Sequence, residues 1–129
     1  MILFDTNALL WLVADSPRLG PEARERIGSA DQVCFSAVSV SEIAIKHMLG
    51  RIALPGADAF PRIFAESGLR ELPFTAHHAA TLLEDPDLRR HDPFDRMLLA
   101  QASAERAELL TSDSVLLGMG RSGVVDARR

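Results

Sequence analysis

The chain has 129 residues, of which 47% are hydrophobic and 25% charged; this is the composition of one ordinary folded domain with its own core, not of a disordered segment. A single cysteine, Cys34, excludes an internal disulfide framework and any multi-cysteine metal site. The net charge of −4, from 18 acids against 14 bases, argues against a broad, non-specific grip on a nucleic-acid backbone.

The first strand is expected at Ile2-Leu3-Phe4, a short apolar run. Asp5-Thr6 then opens a helix over about Asn7 to Ala14, which Pro17 stops. Pro21 suits a first helical turn, so Glu22 to Ser29 reads as a second helix. Val33-Cys34-Phe35 is β-branched and aromatic and reads as the second strand. Ser39 to Leu49 reads as a helix with Gly50 as its stop. Ala57 to Ser67 reads as helix, with Pro61 leaving its start open, and Leu69 to Leu72 as the third strand. Thr75 to Leu83 is a helix ended by Asp85-Pro86. Asp92 to Arg106 is the clearest helix, with Asp92 as cap and Pro93 in the first position. Leu109-Leu110-Thr111 is the fourth strand, Gly118-Met119-Gly120 suggests a mobile loop, and Val124-Val125 is a short last strand.

Strands that alternate with helices imply a parallel sheet covered on both faces. The expected fold is therefore a three-layer α/β/α domain spanning residues 1–129, with no repeat or linker to divide it. No apolar run exceeds the seven residues of Ala8 to Ala14, far short of the roughly 20 needed to span a bilayer. No basic segment precedes Asp5, so a cytoplasmic location without membrane contact is expected.

In such a sheet the working site lies beyond the carboxyl ends of the strands. Asp5 follows the first strand, and Asp113 follows the fourth by one residue. Glu42 and Asp95 fall in the first turns of helices that start at the same edge. All four acids are thus expected on one rim. Two unit charges about 5 Å apart, at an effective dielectric near 20, repel by roughly 3 kcal/mol. Such a cluster either takes up protons or holds a cation. Oxygen ligands without a nearby Cys or His pair favour Mg²⁺, with Mn²⁺ as a substitute.

Each acid also has a simpler reading. Ser39 with Glu42 three residues later is the capping-box pattern, and capping alone accounts for Glu42. Asp95 stands three residues after Asp92 and favours the helix dipole there. Asp113 suits a turn. Asp5, which closes an apolar strand, is the hardest to explain by structure.

Four segments carry a resemblance: Met1-Ile-Leu-Phe-Asp-Thr-Asn7, Ser39-Val-Ser-Glu-Ile43, His91-Asp-Pro-Phe-Asp-Arg-Met-Leu-Leu-Ala-Gln101 and Leu109-Leu-Thr-Ser-Asp113. In order and spacing they resemble the PIN-domain family, and within it the VapC toxins of toxin–antitoxin pairs. The resemblance implies a PIN fold and a Mg²⁺-dependent endoribonuclease. It implies an acidic quartet of Asp5, Glu42, Asp95 and Asp113 as catalytic and metal-binding residues, with Asp5 and Asp95 the most direct ligands. Thr6, Asn7, Asp92 and Thr111 would orient carboxylates or water around them. The implied chemistry is hydrolysis of RNA to a 5′-phosphate and a 3′-hydroxyl. The implied partners are RNA, a VapB-type antitoxin that blocks the groove, and a second copy in a homodimer. One departure is visible: Ser-Val-Leu-Leu follows Asp113 where many relatives carry an aromatic residue.

Arg89, Arg90 and Arg96 are candidates to touch RNA, although a solvated loop is the simpler reading of Arg89-Arg90-His91, and Arg96 could instead hold an acid. Adjacent His77 and His78 point about 100° apart on a helix and cannot easily share a metal. Trp11, Phe35 and Cys34 read as core. An alternative function is an aspartyl-phosphate phosphatase or a phospho-receiver with Asp5 as acceptor. Both designs want a late lysine, and the only lysine is Lys46.

Overall fold

The computed structural model describes residues 1–129. Its strands are β1 (Ile2–Phe4), β2 (Val33–Ser36), β3 (Arg70–Leu72), β4 (Glu108–Thr111) and β5 (Val124–Asp126). They form one all-parallel sheet in the order β3-β2-β1-β4-β5. The helices are α1 (Thr6–Val13), α2 (Pro21–Ser29), α3 (Ala37–Met48), α4 (Arg62–Glu66), α5 (Ala76–Thr81), α6 (Pro93–Glu105) and α7 (Ser114–Gly118).

Strand pleating sends alternate side chains to opposite faces. Ile2, Phe4, Phe35 and Leu110 accordingly join one apolar cluster with Ala8, Leu9, Ala23, Ile43 and Phe64 from α1 to α4. Leu3, Cys34, Leu72 and Leu109 join the other, with Leu98, Leu99 and Ala102 of α6 and Leu116 of α7. The expected three-layer α/β/α fold is thus present. Phe64 is fully buried, its ring centroid 5.1 Å from that of Phe35 in a tilted arrangement and edge-on to Phe60. Burial at this level makes truncation of such a phenylalanine cost about 3–5 kcal/mol.

The chain lays β2 and β3 to one side of β1, then returns to place β4 and β5 on the other. The direction of winding therefore reverses between β1 and β4. Open parallel sheets form their binding crevice at this switch point, outside the carboxyl ends of the strands.

Helix caps are built from the same edge. Asp5 caps α1, Ser36 caps α3, Asp92 caps α6 and Asp113 caps α7, each accepting a backbone N–H. Buried Gln101 pins α6 across the sheet. It accepts from Ser36 Oγ at 2.5 Å and donates to the carbonyls of Leu72 and Pro73.

Several expectations need correction. The helix expected from Ser39 begins at Ala37, because Ser36 both ends β2 and caps α3 without an intervening loop. Ser39 is therefore a buried residue inside the helix and caps nothing. The helix expected over residues 57–67 is a short 3₁₀ turn at Ala57–Ala59 followed by α4, because Pro61 supplies no N–H and its ring obstructs the preceding turn. The segment after Asp113 contains α7, where a turn and a loop were expected. Leu116 of α7 is fully buried in the second cluster, so it supplies packing at the point where the sequence lacks an aromatic. His78 is buried, completes a capping box with Thr75 and lies 3.2 Å from Glu105.

Candidate active site

Of the nine buried polar residues, five (Asp5, Thr6, Ser39, Glu42 and Thr111) meet at the carboxyl edge beside the switch point. That concentration is what a built site looks like, since burying a polar group is unfavourable unless it is hydrogen-bonded. No buried side-chain nitrogen or oxygen lacks a partner.

Asp5 is held from three directions. Its Oδ1 accepts the Ala8 N–H at 2.8 Å, as the α1 cap. Its Oδ2 accepts the Thr111 hydroxyl at 2.6 Å and the Ser112 N–H at 3.3 Å. Burial pushes its carboxyl above the ordinary value, and the nearby Glu42 adds to this, while the three hydrogen bonds pull the other way. Thr111 Oγ1 in turn accepts the Asp113 N–H at 3.0 Å. One buried hydroxyl thus links the acid after β1 to the acid after β4.

Glu42 points from α3 into the same groove and does not cap. Its Oε1 accepts the Thr6 hydroxyl at 2.6 Å, and Thr6 Oγ1 lies 3.0 Å from Ser39 Oγ. Its Oε2 lies 2.5 Å from Lys46 Nζ, one helical turn on. Lys46 is the only lysine or arginine paired with any of the four acids.

Asp95 and Asp113 form the outer part of the groove. Asp113 Oδ1 accepts the Leu116 N–H at 2.9 Å, and its Oδ2 lies 3.2 Å from His91 Nε2. The same His91 atom lies 3.7 Å from Asp95 Oδ2. Asp95 takes no hydrogen bond from a backbone N–H or a hydroxyl, which leaves its lone pairs free. Its carboxyl is pushed up to about 7, first by burial, then by the charges of Asp92, Asp113, Asp5 and Glu42. The structure therefore lines one groove with the four acids, and the other three, with Asp92, raise the energy of ionising Asp95.

Other expected site residues divide. Thr6 and Thr111 orient Glu42 and Asp5 directly. Asp92 caps α6 through the N–H groups of Phe94 and Asp95, which fixes the first turn that carries Asp95. Asn7 is exposed and makes no side-chain hydrogen bond to the groove. Arg96 holds no acid; its guanidinium donates to the Arg89 carbonyl at 3.1 Å. Arg89 donates to the Pro86 carbonyl, and both Arg89 and Arg90 are exposed on the loop leading to α6. Sequence reading takes His91 only as part of the Arg89-Arg90-His91 loop and misses its contact with the groove acids. Its position one residue before the α6 cap was the available signal, because that cap lies on the same edge as the acids.

The donor set suits a divalent cation. The carboxylates of Asp5, Glu42, Asp95 and Asp113 line one groove with one partnered lysine among them, and Asp95 and Asp113, with His91, bring ligand atoms within 4.8 Å of one another. Hard oxygen ligands of this kind bind Mg²⁺ or Mn²⁺. The fold and groove together define a parallel α/β domain with an acidic crevice at its switch point.

The sequence matches the PIN domain family over residues 2–121, and the chain belongs to that family. It is 31% identical over 114 residues to Ribonuclease VapC22 of Mycobacterium tuberculosis, a match that covers 87% of this chain and 86% of the relative. Two solved structures share the fold. A toxin–antitoxin complex from Klebsiella pneumoniae has a TM-score of 0.67 at 22% identity, covering 98% of both chains. VapBC2 from Rickettsia felis, bound to a DNA fragment from its promoter, also scores 0.67, at 16% identity, covering 97% of this chain and 96% of the other. No helix is long and apolar enough to cross a membrane.

Proposed function

We propose that this chain is a Mg²⁺-dependent endoribonuclease that acts as the toxin of a VapBC-type pair and is neutralised by a VapB-type antitoxin. The observation that carries the reading is one crevice lined by four carboxylates, where Asp95 is destabilised as an anion by the other three and by Asp92. Membership of the PIN family and the likeness to a VapC ribonuclease support nuclease chemistry. The likeness of the fold to chains from toxin–antitoxin complexes supports the partner.

Asp5, Glu42, Asp95 and Asp113 would hold the cation, with Mn²⁺ able to replace Mg²⁺. When bound, such a cation neutralises charge developing on phosphodiester oxygens and lowers the pKa of water. The protein's own part is positioning. Three donors on Asp5 and two on Glu42 fix those carboxylates before any substrate arrives. Pre-set groups of this kind need no reorganisation during reaction. The same crowding that opposes ionisation of Asp95 in the metal-free chain would be relieved by a bound cation, which requires its ligand carboxylates ionised. Arg90, exposed and without a side-chain partner, would be the readiest to contact phosphate, since Arg89 and Arg96 each already donate to a backbone carbonyl.

The phospho-acceptor alternative draws less support. Both oxygens of Asp5 accept hydrogen bonds from the protein, and the only lysine is paired with Glu42.

Cleavage of total RNA by the purified protein in Mg²⁺, beside EDTA and Asp95→Asn controls, tests the reading. Discrete fragments with 5′-phosphate ends, absent in both controls, are expected. Cleavage that persists in EDTA or in a folded Asp95→Asn protein would overturn it.

A further inference from the structure

His91 enters the acidic groove at a place where an all-oxygen site would have no nitrogen. Its Nε2 lies 3.2 Å from Asp113 Oδ2 and 3.7 Å from Asp95 Oδ2. One ligand atom from each of these three residues falls within 4.8 Å of the other two. A cation about 2.0–2.2 Å from each ligand keeps adjacent ligand atoms about 3–3.5 Å apart; the His91–Asp113 separation of 3.2 Å already fits, and the others would close by small side-chain movements. The three residues arrive from separate segments: the loop before α6, the first turn of α6, and the β4–α7 turn.

The loop that carries His91 is anchored. The His91 N–H donates to the Leu88 carbonyl at 2.8 Å, and Leu88 is buried in the second apolar cluster. Arg96 holds the neighbouring Arg89 carbonyl, and Asp92 ties the next residues into the helix. The imidazole is thus presented by a braced segment and is itself half-buried. In the metal-free chain the 3.2 Å contact between His91 Nε2 and Asp113 is a hydrogen bond, and a cation bound at Nε2 would take the place of the shared proton.

We propose that His91, Asp95 and Asp113 form a mixed nitrogen–oxygen cation position at the outer end of the groove, with the imidazole Nε2 as a direct ligand. This rests on the metal-nuclease reading above and goes beyond it in ligand chemistry. Mg²⁺ prefers oxygen ligands in near-ideal octahedral geometry, whereas imidazole favours later first-row ions. The position therefore selects Mn²⁺ over Mg²⁺.

Electron spin echo spectroscopy of the full chain loaded with Mn²⁺ tests this without reference to activity. A nitrogen coupling from directly bound imidazole is expected in the wild type and absent in His91→Gln. Changes in groups that merely orient ligands weaken metal binding about 10–100-fold. Loss of a direct ligand is therefore expected to weaken Mn²⁺ binding by at least about tenfold, with a smaller effect on Mg²⁺ measured by competition. Mn²⁺ bound to the wild type without nitrogen coupling overturns the proposal and leaves the metal-nuclease reading intact. Absence of Mn²⁺ binding overturns both. If His91→Gln does not fold, the wild-type spectrum alone decides.

Discussion

Replacing Asp95 by Asn keeps the side chain's size and removes a charge that burial and four neighbouring acids oppose. The unfolded carboxyl titrates near 3.8 and the folded one near 7. Between those values the folded chain binds more protons than the unfolded chain, so stability falls as pH rises through the interval and stays low above it. At about 1.4 kcal/mol per pH unit, the ceiling is about 4 kcal/mol. The side chain keeps 23% of its exposure, and screening by water lowers the expected effect to about 1–2 kcal/mol. Asp95→Asn should therefore stabilise the metal-free protein at pH 8 by that amount, raising Tm by about 3–8 °C. Thermal unfolding in EDTA at pH 8 and at pH 4 measures it. The advantage should nearly vanish at pH 4, where the wild-type carboxyl is protonated when folded. An Asn variant no more stable than wild type at pH 8, or one equally favoured at both pH values, would refute the repulsion argument.

Thr111→Val removes the donor to Asp5 and the acceptor for the Asp113 N–H, so denaturant unfolding should report a loss of about 1–3 kcal/mol. Thr6→Val leaves Glu42 Oε1 without its hydroxyl donor; RNA cleavage should fall about 10–100-fold while the circular dichroism spectrum is unchanged. Arg90→Ala should raise KM for RNA with kcat unchanged and reduce the salt dependence of binding by about one charge. Phe64→Ala should cost about 3–5 kcal/mol in denaturant unfolding, because Phe64 is fully enclosed between Phe35 and Phe60.

The rim of acids was legible because it depends only on alternation. An apolar strand that ends in Asp5, and another that ends two residues before Asp113, fix both acids at one edge once the sheet is parallel. Glu42 was harder to read. The Ser39–Glu42 spacing satisfies a local capping rule, but β2 runs into α3 without a loop and Ser36 takes the cap first. Local pattern lost there to the length of the connection. His91 was not legible as a groove residue, because its partner Asp113 lies 22 positions away and meets it only through the packing of α6 and α7 against β4. The Lys46–Glu42 pair stood in plain view at helical spacing. What the sequence did not indicate is that the glutamate faces inward, so that its end of the pair is buried in the groove while Lys46 stays partly exposed.

The most direct test of the acidic crevice as a cation site is anomalous diffraction from crystals of the protein soaked in Mn²⁺. The account predicts a Mn²⁺ peak in the groove, within about 2.5 Å of a carboxylate oxygen of Asp95. A well-ordered groove with no peak at millimolar Mn²⁺, or a peak only elsewhere on the molecule, would contradict it.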